Sequence, residues 1–223
     1  MITLATTEDG SHTLVNTQTG ESYRSQNGAA QESSHVFIDT GLAHVAKQNA
    51  DISLLEIGFG SGLNFLLTAD FALKNPHIII KYTALEPFLV PCATLKQLNY
   101  GSLLQNPGLF EAFLNWYEQD NTAIFSPQKN IELQLLTTPL LEYSPTQKFD
   151  LIYYDAFSAN TAPEMWQPTA LEHSAKLLRK GGIWVSYSAR GNIKRSLRNA
   201  QMVVTKLPGA AGKREMMRGF LPY

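Results

Sequence analysis

The feature that most constrains the fold is a glycine-rich turn between an apolar run and an amphipathic segment. Residues 52–60 form the run ISLLEIGFG, which is apolar almost throughout and ends in glycines. Such a run is typical of a strand buried on both faces of a parallel sheet. The segment LNFLLTADFALKN that follows has helical spacing and stops before Pro76. A buried strand that turns into a helix is the repeating step of an α/β fold.

The same alternation continues along the chain. Further strands are predicted in HIIIKYTALEP, IELQLLTT, KFDLIYYDAF and IWVSYS. Helices are predicted in PCATLKQLN, in pieces of residues 102–125 broken at Pro107 and Gly108, in PTALEHSAKLLRKGG up to Gly181–Gly182, and in NIKRSLRNA. The segments MVVTKLP and REMMRGFLP can pair as a closing hairpin, and residues 1–40, rich in turn formers, predict a β-hairpin at the N-terminus. We predict an α/β fold with a doubly wound, mostly parallel, Rossmann-like sheet.

The amino-acid composition restricts the classes of protein to which this chain can belong. The 223 residues, 44% of them hydrophobic, suit one globular unit with an appendage. No apolar stretch approaches the ~20 residues of a membrane span, and the N-terminus has no signal-peptide pattern. Cys92 is the one cysteine, for which we expect a packing role, and the five histidines lack metal-ligand spacing. We expect a soluble, cytoplasmic protein without a metal site.

Charge is divided unevenly along the chain. Residues 1–178 hold eight Lys and Arg against eighteen Asp and Glu, whereas residues 179–223 hold ten Lys and Arg against Glu215 alone. A basic segment of this kind indicates a polyanionic partner such as a nucleic acid. The basic residues that we expect to contact phosphates are Arg190, Lys194, Arg195, Arg198, Lys213, Arg214 and Arg218.

Three acids stand at the ends of predicted strands: Glu56, Glu86 and Asp155. In open α/β sheets, ligands bind beyond the carboxyl ends of the strands. Glycines at 58, 60 and 62 let the backbone approach a ligand closely, but Leu63 stands where the dinucleotide fingerprint needs a third glycine. An acid at the end of the second strand commonly accepts hydrogen bonds from ribose hydroxyls, which makes Glu86 a candidate for that role.

The pattern E-x-G-x-G-x-G resembles the nucleoside-binding turn of class I S-adenosylmethionine-dependent methyltransferases. Together GFGSGLNFL, DAFSANTAPEMW and GAAGKREMMRG resemble one family of that class, as do TEDGSHTL, ESYRSQNGAAQES and HVFID nearer the N-terminus. This is the MnmC/MnmD-type family, which completes 5-methylaminomethyl-2-thiouridine at the tRNA wobble position. The resemblance covers nearly the whole chain.

The resemblance implies S-adenosylmethionine as cofactor, tRNA as partner and N-methylation of an aminomethyl group as the reaction. It implies that residues 49–223 form the methyltransferase domain, with residues 1–48 packed on it as a β extension. Asp155 matches the aspartate proposed to act on the amine. The implied cofactor-binding residues are Glu56, Gly58, Gly60, Gly62, Asn64, Glu86, Tyr23, Ser25, Gly28 and Glu32. We expect the stand-alone form without the flavin-dependent oxidase domain of the fused form, with a separate oxidase or amine-generating enzyme acting upstream.

One departure from the family lies at residues 137–139. Many relatives carry Gly-Asp there, and the acid binds the adenine amino group, whereas this chain has Thr138 and Pro139. Thr138, Thr137 or backbone groups are then expected to contact the adenine. Near the predicted strand ends, Phe157, Trp166 and Tyr187 are candidates to stack on a flipped-out uridine.

The amine must lose a proton before its lone pair can attack a methyl group, and a carboxylate at hydrogen-bonding distance can accept that proton or orient the amine. Asp155 is therefore the predicted catalytic residue. Two other functions stay open on the sequence. One is a methyltransferase of the same fold that acts on a small amine or a protein. The other is a nucleoside- or RNA-binding module without turnover.

Overall fold

The computed structural model describes residues 2–210 and 212–223. Most of the chain forms one eight-stranded sheet flanked by helices, preceded by a small three-stranded sheet. The strands are β1 Ile2–Thr6, β2 His12–Asn16, β3 Glu21–Ser22, β4 Asp51–Ile57, β5 Ile79–Leu85, β6 Phe125–Gln128, β7 Ile131–Leu136, β8 Phe149–Tyr154, β9 Leu178–Ser186, β10 Val203–Pro208 and β11 Glu215–Phe220. The α-helices are α1 Ala29–Ser33, α2 Ala43–Ala46, α3 Leu63–Lys74, α4 Cys92–Leu95, α5 Gly108–Asp120, α6 Pro168–Leu177 and α7 Gly191–Asn199.

The large sheet has the order β10-β11-β9-β8-β4-β5-β7-β6. Its centre is parallel, because β4 pairs in parallel with β5 and β8, β5 with β7, and β8 with β9. Strands β10 and β11 form the predicted closing hairpin, which joins the sheet when β11 pairs antiparallel with β9. The doubly wound, mostly parallel fold predicted from the sequence is confirmed.

The helices cover both faces of the sheet, as alternation along its strands requires. On β4, Leu54 belongs to a core with α3 and α5, whereas Leu55 belongs to a second core with α6 and α7. Neighbouring residues of β8 divide in the same way, with Tyr153 in the first core and Tyr154 in the second. This two-sided burial explains why the central strands are apolar without interruption.

The N-terminal segment is a β structure only in its first part. Strands β1 and β2 form the predicted hairpin and β3 adds to it. The sequence predicts hairpin structure up to residue 40, but the chain is helical from Ala29 to Ala46, with a π-helical stretch at Ser34–Leu42 between α1 and α2. Packing decides this outcome, since Phe37 and Leu42 are fully buried in the first core.

One other predicted element differs, and one strand was not predicted. The helix expected to stop at Gly181–Gly182 ends at Leu177, and β9 begins at the next residue. Gly181 has a φ of +81°, and the register between β8 and β9 shifts here, so the glycines form an irregularity within a strand. The chain also forms the edge strand β6 four residues after α5, which the sequence analysis did not predict and which overlaps the predicted helical region only at Phe125. Within the described residues, no helix is long and apolar enough to span a membrane.

Candidate active site

The site lies where the three central strands end. Ile57 of β4 is in register with Leu85 of β5 and with Tyr154 of β8. The residues that follow these three, Gly58, Glu86 and Asp155, therefore leave the sheet side by side. Two backbone hydrogen bonds fix them, from Gly58 N–H to Leu85 O at 3.0 Å and from Asp155 N–H to Ile57 O at 2.9 Å.

A cavity of about 870 Å³ opens above these strand ends. Its size suits a nucleoside-sized cofactor together with part of a second ligand. The N-terminal segment forms one wall, and the rest is formed mainly by the loops after β4, β5, β7 and β8, with single residues after β9 and β10. Among the predicted site residues, the cavity is lined by Tyr23, Ser25, Glu32, Gly58, Gly60, Glu86, Asp155, Phe157, Tyr187 and Lys213.

Two of the turn glycines meet backbone or side chains that leave no room for a Cβ atom. At Gly58, with a φ of +92°, a Cβ would lie 2.6 Å from the carbonyl oxygen of Asp155. Gly62, with a φ of +80°, precedes α3, and a Cβ there would lie 2.9 Å from the Phe113 ring. Gly58 therefore brings the β4 and β8 loops into contact, whereas Gly62 lies outside the cavity and shapes the start of α3.

Glu86 lies on the wall above β5 and is held by backbone amides. Gly60 N–H donates to Glu86 Oε2 at 2.9 Å and Phe88 N–H donates to Oε1 at 3.1 Å. Burial raises the pKa of this carboxyl, and the two amide hydrogen bonds oppose that rise. A carboxylate accepts about four hydrogen bonds, so two positions remain for the hydroxyls of a ribose. The residues present therefore fit the nucleoside part of S-adenosylmethionine.

Below the cavity, Asn64 links two carboxylates. Its Nδ2 donates to Glu56 Oε1 at 2.7 Å and to Asp155 Oδ2 at 2.8 Å. Glu56 also accepts a hydrogen bond from Tyr82 OH at 2.8 Å. Complete burial raises the pKa of Glu56 to about 7, although the charge of Arg24 and both hydrogen bonds act against it. Glu56 and Asn64 thus support the floor from behind rather than line the cavity.

Asp155 has a partner that the sequence reasoning did not find. Arg24 is 5% exposed, and its Nη1 forms an ion pair with Asp155 Oδ2. A buried arginine needs an acidic partner, but no sequence signal connects two residues 131 positions apart. Oδ2 of Asp155 therefore receives both Arg24 and Asn64. Among the described residues, Oδ1 receives no hydrogen bond, although Asp155 lines the cavity.

The N-terminal wall is fastened to the rest of the site by side chains. Tyr23 packs edge-to-face on Phe157, with ring centroids 4.8 Å apart. The buried Glu32 forms an ion pair with Lys213 from the loop before β11. Gly28 lies outside the cavity and precedes α1, where its φ of +140° brings it against Asp9.

The aromatic candidates occupy different positions. Phe157 and Tyr187 line the cavity, whereas Trp166 is buried behind it and donates from Nε1 to Phe157 O at 2.7 Å. Tyr187 OH donates to Ala156 O at 2.9 Å, and Lys213 Nζ lies 4.1 Å from the Tyr187 ring centroid. Trp166 and Tyr187 thus hold the loop that follows Asp155.

The wall after β7 differs from the expectation at residue 138. Thr138 does not line the cavity, whereas Pro139, Leu140, Leu141 and Glu142 do. Phe88, which the sequence analysis did not select, stands at the opening with 84% of its surface exposed. An aromatic residue two positions after a strand-end acid is the sequence signal that would have found it.

The predicted basic residues fall into two groups. Arg190, Lys213 and Arg214 surround a side cavity of about 340 Å³ that shares Ser158, Tyr187 and Lys213 with the main one. The remaining four line neither cavity: Lys194, Arg195 and Arg198 lie on α7, and Arg218 lies on β11. Arg218 Nη1 donates to Thr40 O at 3.4 Å.

Comparison with known proteins agrees with this geometry. Residues 109–222 match the model of a family described as S-adenosyl-L-methionine-dependent methyltransferases, and the chain belongs to this family. The enzyme class, the cofactor and the class I methyltransferase fold predicted from the sequence are thereby confirmed.

More particular similarities point to one kind of methyltransferase. The chain is 32% identical over 212 residues to the tRNA 5-methylaminomethyl-2-thiouridine biosynthesis bifunctional protein MnmC of Magnetococcus marinus, covering 89% of this chain and 31% of that protein. It is 28% identical over 235 residues to the MnmC of Aromatoleum aromaticum, covering 97% of this chain and 35% of that protein. The chain thus spans about a third of the length of these relatives. The crystal structure of MNMC2 from Aquifex aeolicus matches the fold with a TM-score of 0.81 at 24% identity, covering 100% of this chain and 72% of that one. The resemblance recognised in the sequence motifs is confirmed as a similarity to MnmC proteins.

Proposed function

We propose that this methyltransferase acts on tRNA and N-methylates the 5-aminomethyl group of wobble (2-thio)uridine, giving 5-methylaminomethyl-2-thiouridine. The observation that carries the proposal is the position of Asp155. Its carboxylate lies on the floor of the cavity beside the glycine turn, with one oxygen anchored and the other open. The similarity to MnmC proteins supports the choice of substrate.

In this proposal, the cofactor lies against Gly58 and Gly60, with its ribose on Glu86. S-adenosylmethionine supplies an electrophilic methyl group when it is bound. Glu56 and Asn64 act from below, since Asn64 fixes the carboxylate of Asp155. Gly62 sets the start of α3, and Tyr23, Ser25 and Glu32 form the N-terminal wall, with Gly28 at its base. Thr138 lies outside the cavity, so we assign the adenine contacts of this wall to residues 139–142.

Asp155 orients the amine of the acceptor and receives its proton. The ion pair with Arg24 and the hydrogen bond from Asn64 hold Oδ2, which leaves Oδ1 to accept a hydrogen bond from the amine nitrogen. This contact orients the lone pair and receives the proton that the nitrogen gives up. Alignment of the amine by a fixed carboxylate also lowers the entropic part of the barrier.

The acceptor base enters between Phe157 and Tyr187, where it stacks as flipped-out bases do. Trp166 positions Phe157 through its hydrogen bond to the Phe157 carbonyl. The phosphates next to the base lie on Arg190, Lys213 and Arg214. Lys194, Arg195, Arg198 and Arg218 extend the positive surface toward more distant phosphates.

The proposal includes the wider organisation of the chain. Residues 1–48 serve as an extension that packs on the catalytic domain and forms one wall of the cavity, and residues 49–223 serve as the methyltransferase domain. The free amine must be generated before methylation, so a separate oxidase or another amine-generating enzyme acts upstream. A tRNA substrate places the reaction in the cytoplasm.

The experiment combines the purified chain with S-adenosylmethionine and tRNA whose wobble uridine carries the aminomethyl group. Mass spectrometry of the digested nucleosides should show conversion of 5-aminomethyl-2-thiouridine to its N-methyl form. The matched control is the same tRNA with unmodified uridine, which should gain no methyl group. Turnover of small amines or proteins with no methylation of either tRNA would contradict the proposal, as would binding of tRNA and cofactor without turnover.

A further inference from the structure

Glu21 is a cavity carboxylate that the mechanism above does not use. It lies in β3 and lines the main cavity on the N-terminal wall. Ser158 N–H donates to its Oε1 at 2.6 Å, which fastens the loop after Asp155 to the extension. Its other oxygen, Oε2, is buried and receives no hydrogen bond from the described residues. A buried carboxylate oxygen without a donor is costly, so such an oxygen in a cavity wall points to a donor from a ligand.

Of the other carboxylates that line the cavity, Glu142 and Glu164 are exposed to solvent, and the remaining three have their charge or their hydrogen bonds met by protein. Asp155 pairs with Arg24, Glu32 pairs with Lys213, and both oxygens of Glu86 accept backbone amides. Glu21 forms no ion pair among the described residues and has one amide donor. It therefore brings unbalanced negative charge to this wall.

The position of Glu21 indicates that its ligand is the acceptor rather than the cofactor. Its partner Ser158 follows β8, whereas the proposed ribose acid Glu86 follows β5, and β4 separates these strands in the sheet. Burial raises the pKa of Tyr187, and the negative charge of Glu21 adds to that rise, so its field extends to an aromatic wall of the acceptor side. Glu21 thus lies with Phe157 and Tyr187, where the acceptor base enters.

We propose that Glu21 binds the protonated amine of the acceptor and selects aminomethyl-bearing substrates before Asp155 acts on them. This inference rests on the proposed function. An alkylammonium group offers three N–H donors and one positive charge, which match an anionic oxygen without a partner. Glu21 is then a specificity-determining residue, and Asp155 remains the group that receives the proton.

The test measures affinity for two tRNAs that differ only at the wobble base, one with the aminomethyl group and one with an uncharged hydroxymethyl group. Wild-type protein should prefer the amine by about tenfold or more, because hydrogen bonds to charged groups contribute on this scale. Glu21→Gln keeps an oxygen for Ser158 and removes the charge, so the preference should fall to within about twofold. Phosphate contacts do not affect the ratio of the two affinities, because both tRNAs make the same phosphate contacts.

A matched control is Glu8→Gln, an exposed acid of the same extension, which should leave the ratio unchanged. The KM for aminomethyl tRNA should rise about tenfold in Glu21→Gln with a smaller change in kcat, while the affinity for S-adenosylmethionine stays constant. A full preference for the amine in Glu21→Gln would overturn the inference, as would a weakened affinity for the cofactor alone.

Wild-type protein that binds both tRNAs equally would overturn the inference without any variant, so an unstable Glu21→Gln does not remove the test. Methylation by wild-type protein separates this result from failure of the proposed function. If aminomethyl tRNA is methylated but the preference is absent, only the inference about Glu21 fails. If no tRNA is methylated, the proposed function fails as well.

Discussion

The two sides of the cavity are built in different ways. The cofactor side consists mainly of backbone, with Gly58 pressed against the β8 loop and amides of Gly60 and Phe88 on Glu86. The acceptor side consists of charged and aromatic side chains from distant parts of the chain, such as Arg24 on Asp155 and Lys213 on Glu32. A backbone site accepts one ligand shape, whereas a side-chain site can be changed by single substitutions without loss of the fold. This difference fits a common methyl donor and a particular acceptor.

Asp155→Asn is the sharpest way to separate the two sides. The amide keeps the shape of the side chain but cannot receive a proton, so kcat should fall by about 10²–10⁴-fold. Cofactor affinity should change little, because the glycine turn and Glu86 remain. Single-turnover methylation and calorimetric titration with S-adenosylmethionine measure the two effects.

The control for this substitution is Asp51→Asn, an exposed acid at the opposite end of β4. It should methylate at the wild-type rate. The buried Arg24 loses its anionic partner in Asp155→Asn, so thermal unfolding must first show that the variant is folded at the assay temperature. A folded variant with wild-type turnover would remove Asp155 from the chemistry.

Glu56 lies beneath both sides and makes stability depend on pH. Its pKa is raised from 4.5 to about 7 by burial, so the folded protein holds this proton more tightly than the unfolded chain does. Below pH 4.5 the group is protonated in both states and has no effect. Between pH 4.5 and 7 the free energy of unfolding should fall, by on the order of 3 kcal/mol in total, and stay lower above pH 7.

Glu56→Gln should remove this contribution, and urea unfolding at several pH values measures it. The variant should gain stability relative to wild type as the pH rises from 4.5 to 7. Glu111→Gln, an exposed acid of α5, should follow the wild-type curve. A constant difference between Glu56→Gln and wild type over this range would mean that Glu56 keeps an ordinary pKa in the folded protein.

The sequence predicted the cofactor side of the cavity more completely than the acceptor side. The order of strands and helices followed from apolar runs and glycines, and the cavity residues Gly58, Glu86 and Asp155 followed from the position of strand ends. Local patterns determine these features. Arg24 was missed because its meaning depends on Asp155, 131 positions away. The helix at residues 29–46 was missed because burial against the sheet, rather than local spacing, stabilises it.

Thr138 and Glu56 show that a sequence motif alone does not determine where a side chain points. Both were assigned to cofactor binding from their place in a motif, but neither lines the cavity. A motif fixes where the backbone passes, whereas the side-chain direction depends on neighbours such as Tyr82 and Asn64. Prediction from sequence was therefore strongest where function uses backbone and weakest where it uses paired charges.

Gly58→Ala tests the cofactor side of the cavity. A Cβ atom at φ +92° would lie 2.6 Å from the Asp155 carbonyl oxygen, so the β4 and β8 loops must move apart. We expect a loss of about 2 kcal/mol in the free energy of unfolding and at least a tenfold weaker affinity for S-adenosylmethionine. Gly191→Ala is the matched control, because a Cβ there meets no atom within 4 Å. Unchanged cofactor affinity in Gly58→Ala would mean that this turn does not shape the cofactor site.

The smallest effect is expected at the rim of the acceptor side. Arg214 is exposed and lines the side cavity, so Arg214→Ala should weaken tRNA binding several-fold without changing cofactor affinity. Because a phosphate contact releases bound counterions, the slope of log Kd against log salt should fall by about one in magnitude. Lys74→Ala, on α3 and paired with Asp70, removes a positive charge outside the basic segment and should leave the slope unchanged. Equal slopes for Arg214→Ala and wild type would place the tRNA phosphates elsewhere, and the acceptor side would then end at Phe157 and Tyr187.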